Sequence, residues 1–317
     1  MKNKYILGID TSNYKTSVAV TDDKNNIICD QRVFLKVKQG EKGLRQSDAL
    51  FQHIRNMPYL INEAMKAIAG QLAAVSFSDR PRPVEGSYMP VFLAGESFGK
   101  TIAASLDIPY ISFSHQEGHI EAVKAFSAHK DKDRLLACHF SGGTCEVLSI
   151  REKNGRYEIK IVGGSKDISF GQVIDRAGVK LGMSFPAGEE MDITAVEASY
   201  ATDLLTPVKV REGKINLSGI DTQFQRLADN LKYEDRDHLI RELMEKIADA
   251  MSLLIWQCSE ITGIKDVLMA GGVTSSRFIR ARMTDAFRCC GIDAAFDDMD
   301  LAQDNAVGIA LLGGKNL

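Results

Sequence analysis

Residues 5–34 read YILGIDTSNYKTSVAVTDDKNNIICDQRVF, and residues 134–164 read RLLACHFSGGTCEVLSIREKNGRYEIKIVGG. In the first stretch YILGID, TSVAVTD and IICDQRVF are apolar runs separated by short polar turns such as DDKNN. That pattern predicts three strands in an antiparallel meander. The second stretch repeats it: RLLACHF, TCEVLSIRE and a hairpin turning at Asn154-Gly155. After the first meander come a helical pattern over 47–69, the apolar run LAAVSFSD, a helix over 91–106 and the run IPYISFS. After the second come helices at about 169–182, 221–232 and 236–262, the run DVLMA, a helix over 275–288, DAAF, and a last helix from Leu301. A meander followed by alternating helices and strands, twice over, is a duplicated α/β topology. Such halves place ligands in a cleft between them. We divide the chain at 1–113 and 114–300, with 301–317 returning to the first half.

The bulk numbers fit that reading. A chain of 317 residues is long for one core. Net charge is −3, from 39 basic and 42 acidic residues, so no whole-surface attraction to nucleic acid or anionic membrane is expected. No run approaches the roughly 20 apolar residues of a membrane helix. The segment MKNKYILGIDTSNYK turns polar too soon for a secretory signal. Six cysteines without C-x-x-C spacing point to reduced thiols in the cytoplasm.

Three glycine-containing turns follow predicted strands: GIDTS at 8–12, SGGT at 141–144 and AGGVTSS at 270–276. Glycine lets backbone amides approach a phosphate, and the turn before helix 275–288 adds a helix N-terminus. Each turn alone is ordinary; together, in repeated halves, they point to a nucleotide. Within GQVIDRAGVKLG, Asp175 stands either as a ribose-binding carboxylate or as a solvated helix acid. In SHQEGHIEA, His115 and His119 lie at i and i+4, one helix face, close enough to share an ion. Six histidines produce roughly 0.1 such pairs by accident. Glu117 points elsewhere on the helix. Asp304, in AQDNAVGIA, stands either as a third ligand or as the N-cap of the last helix.

SHQEGHIEA, FSGGT, the run GGSKDISFGQVIDR with LGMSFPAG, LSGIDT, MAGGVTSSR and AQDNAVGIA follow in order the motifs of the TsaD-type family. The chain resembles that family from about residue 4 to 314. Its members were long called O-sialoglycoprotein endopeptidases (peptidase M22-like) and make threonylcarbamoyl-adenosine in transfer RNA. The resemblance implies an actin-like ATPase (ASKHA) fold of two RNase H-like halves. It implies that His115, His119 and Asp304 hold one divalent metal, iron or zinc. It further implies that Ser141, Gly142, Gly143, Asp167, Gly171, Asp175, Gly188, Gly271 and Gly272 surround an ATP- or AMP-type nucleotide. The reaction implied is transfer of a threonylcarbamoyl group from a carbamoyl-adenylate to a tRNA adenosine. A homodimer, or a heterodimer with an actin-like partner subunit, is the implied assembly. The old protease label finds no H-E-x-x-H and no nucleophile–base pair here.

The chain also departs from the family. Asn13, Tyr14, Lys15 and Thr16 stand where the family has Cys-Asp-Glu-Thr, so two carboxylates are replaced by a phenol and a cation. Arg80, Pro81, Arg82 and Pro83 replace Gly-Pro-Gly-Leu, Thr144 replaces a histidine, and Ser276 replaces an asparagine. His53 matches a family histidine. These changes point to a divergent paralogue, with tRNA phosphate contacts sought at Lys36–Arg45 and Arg277–Arg282. Two alternatives stand beside this reading: a non-catalytic ATP-binding partner subunit, and a carbamoyltransferase or kinase with another acceptor, for which Asp10 is the candidate acid.

Overall fold

A computed structural model describes residues 4–12, 14–37, 44–68, 71–230, 232, 235–296, 301 and 304–317. The chain forms two compact units. The first comprises Met1–Phe126, Glu152–Tyr157 and Gln303–Leu317; the second comprises Ser127–Arg151 and Glu158–Ala302.

In the first unit, β1 (Tyr5–Asp10), β2 (Lys15–Asp22) and β3 (Ile27–Phe34) form the meander, β1 and β2 antiparallel in register from Tyr5↔Asp22 to Asp10↔Ser17. β4 (Leu72–Arg80) and β5 (Tyr110–Ser114) add in parallel, so the sheet runs β3-β2-β1-β4-β5. Leu7 and Ile9 pack with Val18, Val20 and with Met57, Leu60 and Ala64 of α1 (Gln46–Lys66). Ile6, on the opposite face of β1, meets α9 (Val307–Lys315) near Gly313. β1 is covered on both sides, which is why it reads as a near-continuous apolar run. α2 (Phe92–Leu106) links β4 to β5, and α3 (His115–Ala125) follows β5.

In the second unit, β6 (Arg134–Phe140), β7 (Cys145–Lys153) and β8 (Arg156–Ser165) repeat the meander, and β11 (Asp266–Ala270) and β12 (Asp293–Phe296) add in parallel. The order β8-β7-β6-β11-β12 reproduces β3-β2-β1-β4-β5. Two short strands, β9 (Val210–Arg211) and β10 (Lys214–Ile215), extend the β8 edge. Leu136, Cys138 and Phe140 pack with Phe170, Val173 and Ile174 of α4 (Phe170–Lys180), and with Leu243, Ile247 and Met251 of α7 (Arg236–Thr262). α5 (Gly188–Glu197), α6 (Ser218–Asn230) and α8 (Arg277–Cys290) complete this unit. The repeated strand order is that of an actin-like ATPase fold. No helix among the described residues is long and apolar enough to cross a membrane.

Two boundaries and one helix differ from those read in the sequence. The first unit continues past residue 113 to Phe126, because α3 packs backbone to backbone on α9. α9 begins at Val307 and not at Leu301. The Asn305 side-chain oxygen accepts from Val307 N at 2.9 Å and from Gly308 N at 3.4 Å, closing the first turn and leaving Asp304 outside the helix. The sequence reading omitted α5, which buries only Met191 and Ala195 and so carries almost no periodic signal.

Candidate metal and nucleotide sites

Ser114 ends β5 and starts α3. Its Oγ accepts from Glu117 N at 3.2 Å, while Glu117 Oε2 accepts from Ser114 N at 2.7 Å and from Ser114 Oγ at 2.8 Å. This capping box fixes the helix start and uses up the one carboxylate lying between the histidines. Glu117 is therefore no ligand, as its position on the helix suggests.

His115 and His119 project from one face of α3, with ring centroids 4.3 Å apart and planes at 80°. Their Nε2 atoms stand 2.9 Å apart. Asp304 Oδ1 lies 3.1 Å from His119 Nε2 and 3.5 Å from His115 Nε2. Ligands about 2.1 Å from a shared ion, at ordinary coordination angles, stand roughly 3.0–3.4 Å from one another. The three atoms are thus spaced as ligands of one ion, and two imidazoles with a carboxylate suit iron or zinc. Because Ala306 is the N-cap of α9 and Asp304 lies two residues before it, the N-cap reading of Asp304 falls away.

Behind His115 stands Asp10, fully buried at the end of β1. Its Oδ1 accepts from His115 Nδ1 at 3.0 Å and from Ser78 Oγ at 2.6 Å; its Oδ2 accepts from Ser12 Oγ at 2.6 Å. A carboxylate on the far nitrogen fixes the tautomer that leaves Nε2 for an ion. Burial opposes charge on His115, yet Asp10 and Asp304 outweigh it and push its pKa up to about 10. Burial likewise opposes charge on Asp304, but the two histidines hold it well below the usual carboxylate range. The sequence reading gave Asp10 only the role of a catalytic acid. The available signal was a charged residue closing a strand buried on both faces. Lys15 is also buried, 5% exposed, with Nζ 4.5 Å from the Phe34 ring centre. Burial holds its pKa below the usual lysine value, a shift that the Asp304 charge partly opposes.

In the second unit the Gly-containing loops follow β6 and β11, adjacent parallel strands. Ligands of open α/β sheets bind at such carboxyl ends. Ser141 Oγ accepts from Thr144 N at 3.1 Å, and Gly142 O accepts from Ser169 Oγ at 2.9 Å. A β-carbon on Gly171 would lie 2.6 Å from Ser141 O, so α4 meets this loop only with glycine there. Gly271 has φ of 100°, and a β-carbon there would lie 2.3 Å from Phe140 O, which brings the β11 loop against the end of β6. Gly142, Gly143, Gly188 and Gly272 have open space where a β-carbon would stand.

A pocket of about 680 Å³ opens beside the first loop, lined by Gly142, by Gln172, Asp175, Arg176 and Lys180 of α4, and by Asp221 of α6. Its size suits a small ligand. Arg176 Nη1 donates to Asp221 Oδ2 at 3.0 Å, a pair absent from the sequence reading. Asp175 Oδ1 accepts from Ala187 N at 2.8 Å, tying α4 to the start of α5. Of the predicted nucleotide residues, Gly142 and Asp175 line this pocket, whereas Ser141, Gly143, Asp167, Gly171, Gly188, Gly271 and Gly272 do not. Asp167 instead accepts from Ile168 N, Leu217 N and Ser218 N at 2.7–3.0 Å and so fastens the head of α6. Burial alone would raise its pKa; those N–H donors hold it well below the ordinary range.

A model of the family described as TsaD, tRNA N6-adenosine threonylcarbamoyltransferase, matches residues 35–311. The chain belongs to this family. A TsaD relative from Thermus thermophilus, named tRNA N6-adenosine threonylcarbamoyltransferase, is 28% identical over 319 residues, 98% of this chain and 91% of the relative. Among solved structures, full-length HypF in its phosphate- and nucleotide-bound form is similar with a TM-score of 0.58 at 14% identity, covering 99% of this chain; the chain spans 56% of that protein. Component A of the (R)-2-hydroxyglutaryl-CoA dehydratase of Acidaminococcus fermentans is similar with a TM-score of 0.54 at 15% identity, covering 99% of this chain and all of that one. These likenesses extend the TsaD fold to other actin-like proteins.

Proposed function

We propose that this TsaD-family chain is a metal-dependent carbamoyl-type transferase that binds an adenine nucleotide or carbamoyl-adenylate and delivers its threonylcarbamoyl group to a tRNA adenosine. The observation carrying the reading is the convergence of His115 Nε2, His119 Nε2 and Asp304 Oδ1, with Asp10 bound to the far side of His115. His115, His119 and Asp304 would hold one divalent ion, iron or zinc, which supplies Lewis-acid polarisation of an acyl oxygen. Asp10 orients His115, and Ser114 with Glu117 fix the helix from which both rings project. Asp175, Gly142 and the Arg176–Asp221 pair are the polar groups offered to the nucleotide, Asp175 to the ribose hydroxyls. Ser141, Gly143, Asp167, Gly171, Gly188, Gly271 and Gly272 shape the loops around it.

A second reading, the same transfer to a different acceptor, is favoured by Lys15, a buried cation under the influence of Asp304. A buried cation there suits an acceptor whose reacting group is itself anionic, whereas the reacting amine of a tRNA adenosine is neutral. The basic stretch Arg277–Arg282 offers little to tRNA, since Arg280 donates to Thr274 O and Arg282 pairs with Asp249. The other basic stretch, Lys36–Arg45, lies outside the described residues from 38 to 43.

The test combines metal analysis of the purified protein with a transfer assay using threonylcarbamoyl-AMP and unmodified tRNA. About one metal per chain at the histidine pair, lost in His119→Ala together with product, supports the proposal. Full transfer by metal-free protein overturns it. Metal binding without transfer to tRNA moves the assignment to the second reading.

A further inference from the structure

A second set of metal-ligating side chains stands in the second unit, sharing no residue with the first. β11 and β12 are parallel neighbours, and their first residues, Asp266 and Asp293, are register partners. Two carboxylates are thereby held side by side at the starts of adjacent strands. The turn preceding β6 brings His129 to them: His129 N donates to Ser127 Oγ at 3.0 Å, and Lys132 N donates to His129 O at 3.0 Å. The His129 ring is 1% exposed.

Its nitrogens are not equivalent. Nε2 lies 3.0 Å from the backbone oxygen of Asp293. A carbonyl only accepts, so Nε2 carries the proton and the neutral ring keeps its lone pair on Nδ1. Nδ1 faces Asp266 Oδ1 at 4.0 Å, too far for a hydrogen bond, and no hydrogen-bond donor reaches it among the described residues. The Nδ1 lone pair of a ring that is itself 1% exposed thus stands across a gap from a carboxylate oxygen. Ligand atoms of His129, Asp266 and Asp293 all lie within 4.8 Å of one another, wider than the roughly 3.0–3.4 Å of ligands on one ion, so binding would draw the carboxylates inward. The Nε2–H bond to a backbone oxygen is the arrangement that orients a ligating imidazole. Lys132 Nζ neutralises one side of Asp266, at Oδ2, and leaves Oδ1 facing the ring. One neutral imidazole, two carboxylates and one ammonium sum to a single negative charge, which a divalent cation reverses.

We propose that His129 Nδ1, Asp266 and Asp293 form a second metal site for a divalent transition-metal ion such as zinc, which clips the turn before β6 to the starts of β11 and β12. A nitrogen and two carboxylates are donors that zinc accepts. The site lies at the amino ends of the parallel strands, opposite the Gly-containing loops at their carboxyl ends. Its role is therefore structural, binding the folded state and stabilising it by mass action.

The test is zinc titration of the metal-stripped full-length protein by calorimetry, with thermal melting in parallel. The proposal expects one equivalent that survives His119→Ala and disappears in Asp293→Asn, an exposed position whose change leaves the core intact. Zinc is expected to raise the melting temperature of His119→Ala and not of the variant carrying both changes. Lys132→Ala, which removes the competing ammonium, is expected to tighten this equivalent. Loss of all zinc binding in His119→Ala, or an equivalent in His119→Ala that persists when Asp293→Asn is added, overturns the site. Because the two variants report on separate centres, failure here is distinct from failure of the histidine pair.

Discussion

A β-carbon on Gly308 would stand 1.8 Å from the carbonyl oxygen of Gly118. Gly118 lies on α3 between His115 and His119, and Gly308 lies in the first turn of α9, just beyond Asp304. This contact between two backbones therefore sets how far the histidines stand from the carboxylate.

Gly308→Ala is expected to force the helices apart. Overpacking in a core of this kind costs about 1–3 kcal/mol, and more where the clash is with backbone. A denaturation midpoint lowered by that amount, with loss of metal binding, is the expected result. Gly219→Ala is the control: it sits in α6 with nothing within 4 Å of the added carbon, and should be neutral or stabilising by up to about 1 kcal/mol. Equal stability of the two variants would refute the argument.

Asp10→Asn removes the charge behind His115 while keeping its shape. Loss of such a supporting partner weakens metal affinity by about 10–100-fold. Competition against a chelator of known strength measures it. Affinity unchanged from the parent would show that Asp10 does not orient the ring.

The duplicated meander was legible because alternating and continuous apolar runs report strand burial directly. The histidine pair was legible from its spacing, since i and i+4 share a helix face whatever the fold. Asp10 was not, because its partners Ser78 and His115 are far along the chain and only the parallel pairing of β1 with β4 brings Ser78 alongside. Asp304 has two readings in the sequence; α9 starts at Val307 with Asn305 accepting from its first N–H groups, which removes the N-cap reading and leaves the ligand reading as the one to test. Asp167 carried a motif position, yet the structure shows it holding backbone N–H groups at the head of α6, a contact 50 residues long that local pattern cannot contain. Sequence periodicity reports what faces a core; it does not report which polar groups meet across it.

His53 sets a pH dependence. It is fully buried, with Nδ1 bonded to Thr16 Oγ1 at 2.9 Å. Burial lowers its pKa to about 4, partly countered by the Asp10 charge. In the unfolded chain the ring titrates near 6.5. Between about pH 6.5 and 4 the unfolded chain takes up a proton that the folded one refuses, so stability falls on acidification through that window and levels off below it. The contribution is at most about 3 kcal/mol. Urea melts of the parent and of His53→Gln at pH 7.5 and 4.5 should converge toward the acid end, His53→Gln losing less. Parallel losses would remove His53 as the cause.

Asp167 and Asp175 separate two tasks that the sequence had grouped as one. Asp167 Oδ1 accepts from Leu217 N at 2.9 Å and Oδ2 from Ser218 N at 3.0 Å, which is the work of a helix cap. Asp167→Ala should cost about 0.5–2 kcal/mol of stability. Since its pKa is lowered in the fold, that contribution is present above the unfolded value near 3.9 and is lost as pH falls below it. Asp175 spends one oxygen on Ala187 N and lines the pocket with Arg176 and Asp221. A carboxylate bonded to a ligand hydroxyl contributes about 1.5–3 kcal/mol, so Asp175→Ala should weaken adenine-nucleotide binding roughly tenfold or more. Calorimetric nucleotide titration and thermal melts, run on both variants, check the division. If Asp167→Ala loses nucleotide affinity at unchanged stability, or Asp175→Ala binds as tightly as the parent, the roles are assigned wrongly.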